Sequence, residues 1–171
     1  LMPDSLMPDA LGIIREVEDQ YDRSEALIGI IDHEGLNWSI EQLNEALLIA
    51  QGLSEVKLRA ISLSKLSKCF PEDLQKEVAK QALNNAKALK YYQSDIVDSE
   101  TITEVISNLP VNLRVEAVNM AKELPEDWDR GRILGGLANL VPDELRQSIL
   151  LEVQKINDPG ARASALSKFV G

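Results

Sequence analysis

The sequence predicts an all-α fold, a right-handed α-solenoid of about five antiparallel two-helix repeats, and three observations predict it. A spacing of acid, arginine, leucine and bulky apolar residue recurs along the chain. A proline or its stand-in recurs at a set distance upstream of that spacing. Between the two anchors, apolar residues follow at intervals of three and four, the spacing of one helix face.

The downstream anchor reads Asp19, Arg23, Leu27, Ile30 in the first copy and Glu55, Arg59, Leu63, Leu66 in the second. It reads Glu126, Arg130, Leu134, Leu137 in the fourth and Asp158, Arg162, Leu166, Phe169 in the fifth. The third copy is degenerate and reads Ser94, Asp98, Ile102, Val105, with the apolar positions kept and the charged anchors lost. Upstream, Pro3, Pro110 and Pro142 each stand sixteen positions before the acid, and each has a leucine at the third position after it. Ser39 takes the proline position in the second copy, and Pro71 stands seven residues further from its anchor in the third. Seven residues are about two helical turns, so such an extension nearly preserves the phase of the apolar face.

Each copy therefore predicts a helical hairpin, giving repeats at about 3–34, 35–70, 71–109, 110–141 and 142–171 within one repeat domain. The first helix of a copy starts at proline, tolerated in a first turn because its missing N–H would be unpaired there anyway. In the last copy the core stripe is Leu145, Ile149, Leu150, Val153 and Ile156. A turn follows at Asn157-Asp158-Pro159-Gly160, with Asp158 placed to cap the second helix, which buries Ala165, Leu166 and Phe169. The pair Gly135-Gly136 falls inside a predicted second helix, where close helix approach explains it. A hairpin of this size cannot close a core alone, so neighbours must complete it. The chain opens at Leu1, close to one proline anchor, and stops at Gly171, close to where the next would fall. A monomeric fragment of a longer array is the expectation.

Composition narrows the function. Aromatics make up 4% of the chain, the net charge is −10 and the pI is near 4.6. Phosphate binding needs a basic face, so nucleic acid is not an expected partner, nor is an anionic membrane. On net charge alone the surface would suit a basic partner. No apolar run is long enough to span a bilayer, and Cys69 is the single cysteine, which suits a reducing, cytoplasmic setting. No phosphate loop, zinc-protease helix or nucleophile elbow occurs, and no cofactor or metal site is expected. His33, between Asp32 and Glu34, reads as a solvated loop residue.

Two sets of residues are candidates for function. Trp38 lies in a short insertion, Gly35-Leu36-Asn37-Trp38, and Tyr91 and Tyr92 lie in the extension of the third copy. Insertions in repeat arrays often mark the used face, and these aromatics suit either partner contact or packing of a longer helix. Trp128 and Tyr21 share one repeat position and read as repeat architecture. The second set is the ladder of Asp19, Arg23, Glu55, Arg59, Glu126, Arg130, Asp158 and Arg162. An arginine in a first turn opposes the helix dipole at a cost of about 0.3–1 kcal/mol, so a partner must compensate it. A structural reading pairs each arginine with acids in its own turn or in the adjacent repeat, the acid four residues earlier being both cap and counter-ion. A functional reading lines a groove that grips a carboxylate or phosphate.

The stretch from Arg15 to Leu27, with Asp19, Tyr21, Arg23, Ala26 and Leu27 in its pattern, resembles the short helical repeats of C-terminal sensor regions in bacterial STAND-class signal-transduction NTPases. The run Asp158-Pro159-Gly160-Ala161-Arg162 resembles the corresponding part of HEAT repeats. What the resemblance implies is a HEAT- or TPR-like sensor or scaffold array of a signalling or defence protein. Such an array would bind a protein or peptide and would not itself be an enzyme. The alternatives are a passive spacer and a HEAT-like repeat enzyme of lyase or DNA-repair type.

Overall fold

The recurring acid occupies the residue before a helix in every copy. The structure, a computed structural model, describes residues 6–33, 37–89 and 98–170, and these form ten α-helices and no strand. They are α1 (Met7–Glu16), α2 (Gln20–Ile31), α3 (Ile40–Gln51), α4 (Val56–Ser67), α5 (Glu72–Leu89), α6 (Ser99–Asn108), α7 (Val111–Lys122), α8 (Asp127–Leu137), α9 (Asp143–Gln154) and α10 (Pro159–Ser167).

The helix starts follow from side-chain chemistry. Asp19 caps α2 by accepting from the amides of Tyr21 and Asp22, and Asp158 caps α10 by accepting from Ala161. Glu55 and Glu126 hold the same place before α4 and α8 without a side-chain cap bond. The extra methylene of glutamate carries its carboxylate past the amides that aspartate reaches. Ser39 heads α3 with a reciprocal capping box to Gln42, doing by hydrogen bonding what proline does elsewhere. Pro110 and Pro142 stand at the cap itself, one residue outside α7 and α9, rather than inside the first turn.

The third copy corrects the sequence register. Asp98 is the cap of α6 and accepts from the Thr101 amide, so the acid of this copy is Asp98 and not Ser94. Ile102 then stands in the arginine position, with Ile106 and Leu109 in the two apolar ones. Both registers place apolar residues inward, because four residues are close to one turn. Ile102, Val105, Ile106 and Leu109 are all at most 1% exposed, which is why the apolar pattern did not separate them.

The chain divides into two compact units, Leu1–Asn85 and Ala86–Gly171. In the first, α1 packs on α2 and α3, and α2 packs on α3 and α4, with α3 against α4. Leu11, Leu27, Leu43, Ala46, Leu53 and Leu63 form its core, each 2% exposed or less. A buried Ser24–Ser62 hydrogen bond of 3.0 Å joins α2 to α4. Along α5, Gln81 accepts from Gln51 at 2.9 Å, and Asn85 accepts from Arg59 at 2.7 Å.

In the second unit α8 is the hub, packed against α6, α7, α9 and α10, while α9 also touches α7 and α10. Its glycines explain the close approach. A Cβ on Gly131 would sit 3.0 Å from the Ala161 carbonyl oxygen, and one on Gly135 would sit 3.1 Å from the Ala165 Cα, both on α10. A Cβ on Gly136 would meet Thr103 of α6 at 2.8 Å. Adjacent glycines thus let α8 lie close to a helix on each side. In the last hairpin Ile149, Val153, Ile156 and Ala165 are buried, while Leu145, Leu150, Leu166 and Phe169 are half-buried.

Candidate recognition clefts

The four recurring arginines share one partner type, and it is not the acid four residues earlier. Arg23 donates to the carbonyl of Val17, and Arg59 to that of Leu53. Arg130 donates to the Leu124 carbonyl at 2.5 Å and Arg162 to that of Ile156 at 2.6 Å. In every case the acceptor lies six residues earlier, in the turn just past the preceding helix. There the chain has orphan carbonyls that no helical amide reaches. The arginine's Cα sits at a positive dipole end, but its guanidinium reaches back to the negative end of the helix before it, where a cation is favourable. That reach compensates the first-turn placement. Arg130 also forms an ion pair, with Asp127 rather than Glu126.

The same turns plug the core. Leu53, Leu124 and Ile156 are each 1% exposed, so the side chain is buried while its carbonyl is held by the arginine. A charge-assisted hydrogen bond of this kind contributes roughly 1.5–3 kcal/mol.

A second arginine pair escaped the sequence reading. Arg114 of α7 donates to the carbonyls of Leu109, at 2.9 Å, and Leu140, and Arg146 of α9 donates to that of Phe169 at 3.0 Å. Arg146 also lies over the Phe169 ring, 5.8 Å from its centroid. The signal was present, since each follows the proline anchor of its copy by four residues.

Stacking of successive hairpins opens two clefts at one register. The first, about 180 Å³, is lined by Arg15, Arg23, Leu48, Ile49 and Gly52 in the first unit. The second, about 160 Å³, is lined by Lys122, Arg130, Leu134, Glu152, Lys155 and Ile156 in the second unit. Arg15 and Lys122 each precede the repeat acid by four residues, and Arg23 and Arg130 each follow it by four. Ile49 and Glu152 correspond in the following copies, as do Gly52 and Lys155. Both clefts therefore gather cationic groups, and in the first the exposed Leu48 adds an aliphatic wall. Arg15 pairs with Glu45, and Glu152 pairs with Lys155 at 2.9 Å and Lys122 at 3.8 Å.

Of the aromatic candidates, Trp38 is half-buried, directly before the Ser39 cap of α3. Tyr91 and Tyr92 lie outside the described residues. Trp128 and Tyr21 are 52% and 61% exposed, and the Trp128 ring leaves only 3.0 Å for a Cβ on Gly160 of the next copy. His33 is exposed after α2, and among the described residues no helix is long and apolar enough to cross a membrane. Burial pushes the Cys69 thiol above its ordinary pKa, with Asp32 adding to the rise and Lys68 opposing it.

Compared with protein-family models, with curated proteins and with solved structures, the chain finds no match in any of the three.

Proposed function

We propose that this chain is a recognition module, a right-handed α-solenoid whose inter-hairpin clefts bind a protein or peptide. It would serve as the sensor or scaffold part of a larger signalling or defence protein, as the STAND-like repeat pattern implies, and it would carry out no chemistry. The observation that carries the reading is the recurrence of one cleft, at one register, in two separate pairs of hairpins. A repeat array presents such sites because each inter-repeat contact is built from the same positions. Helix packing within each unit supports the solenoid, since first helices lie on first helices (α1 on α3, α7 on α9) and second on second (α2 on α4, α8 on α6 and α10).

Selection of a random peptide library on the immobilised chain, followed by amide NMR mapping, tests the proposal. Enriched peptides should shift the resonances of Leu48 and Gly52, or of Leu134 and Lys155. An absence of enriched peptides would favour the spacer, and shifts confined elsewhere would overturn the clefts as the binding site.

A further inference from the structure

The net charge points to a basic partner, but the clefts carry the opposite sign. Their lining includes Arg15, Arg23, Lys122, Arg130 and Lys155 against the single acid Glu152, in a chain where acids outnumber bases 28 to 18. We infer that each cleft receives a carboxylate of an acidic peptide segment, an aspartate or glutamate, flanked at the first cleft by an aliphatic residue. The inference rests on the recognition reading above and specifies its ligand.

The charge balance sets the sign of the ligand. In the first cleft Arg15 pairs with Glu45, while the Arg23 guanidinium is bonded to a neutral carbonyl, so its charge is held in place without being cancelled. In the second, Glu152 pairs with both Lys122 and Lys155, and Asp127 pairs with Arg130. Each cleft's lining thus holds more cations than acids, the complement of a carboxylate. Fold stability explains where Arg23 sits, and it leaves that charge available.

Access and shape agree. The side chains of Arg15 and Lys155 are 61% and 68% exposed, so each can swing toward an incoming group. In the first cleft Leu48, 66% exposed, gives an aliphatic neighbour of that carboxylate a wall to lie on. A long polyanion is disfavoured because its further charges meet a chain of net charge −10. One carboxylate, screened from distant charges beyond a Debye length of about 8 Å at physiological salt, escapes most of that repulsion.

The test titrates the full chain, followed by amide NMR, with three probes. They are a short peptide of glutamate, leucine and glycine, the same peptide with lysine for glutamate, and oligothymidylate. The acidic peptide should shift Gly52 and Lys155, and the lysine peptide should not. Arg15→Glu and Lys155→Glu should each weaken binding at their own cleft by about fivefold, the effect of a partly exposed ion pair. Glu152→Gln should strengthen binding at the second cleft, a gain that loss of folding cannot imitate. Equal or better binding of the lysine peptide overturns the inference, as does indifference to these substitutions. Equal binding of oligothymidylate replaces the peptide with a general polyanion and overturns it too. If library-selected peptides occupy the clefts but lack acidic residues, the acidic class fails and the recognition module stands. If nothing binds, both fail.

Discussion

At the scale of single residues, the repeat arginine is a strap across the turn between two helices. Arg59 shows it most fully, bonding the carbonyls of Leu53 and Ser54 and the side chain of Asn85. Arg59→Ala should cost about 1–3 kcal/mol, because it leaves turn carbonyls and Asn85 without their donor. Arg162→Ala, which breaks the bond to Ile156 near the end of the chain, should cost less. Urea denaturation of the two variants measures the difference, and equal losses would show that Asn85 contributes nothing. Cys69 offers a second readout. Its raised pKa keeps the thiol protonated at a pH where a free cysteine has begun to ionise, so alkylation should be slower than for free cysteine and should accelerate only at higher pH. A rate matching free cysteine across the pH range would contradict the burial assigned to it.

At the scale of helices, glycine separates positions that need the missing side chain from those that do not. Gly131→Ala should destabilise by about 1–3 kcal/mol, since the new methyl meets backbone of α10 at 3.0 Å. Gly29→Ala in α2, where a Cβ meets nothing within 4 Å, should instead stabilise by about 0.5–1 kcal/mol through helix propensity alone. Thermal melts of the pair should therefore move in opposite directions. Hydrogen exchange should be slowest in α8, the helix packed on four others. Faster exchange there than in α1 would deny it the role of hub.

At the scale of the whole molecule, electrostatics is dominated by excess negative charge. With a net charge of −10 at pH 7, mutual repulsion should outweigh the scattered surface ion pairs, each worth about 0–1 kcal/mol. Raising salt from low to physiological strength should then raise the melting temperature. A fall would mean that pairs such as Lys65–Asp32 and Lys87–Glu116 outweigh the repulsion.

The sequence by itself determined the helical class, the caps at Asp19 and Asp158 and most of the core, because those are local matters. An acid before an amide-rich first turn, and apolar residues three or four apart, act within one helix. Asp19, Asp158 and Leu134 could thus be placed without any neighbour. Where the pattern repeats every turn, local logic set the third copy's anchor at Ser94, four residues early, and the cap at Asp98 corrected it. The tertiary structure alone decided what each arginine holds, since a carbonyl six residues back comes within reach only once the turn has folded. It alone decided the clefts as well. Their walls come from one hairpin and the next, so Arg23 and Leu48, or Arg130 and Lys155, become neighbours only through stacking.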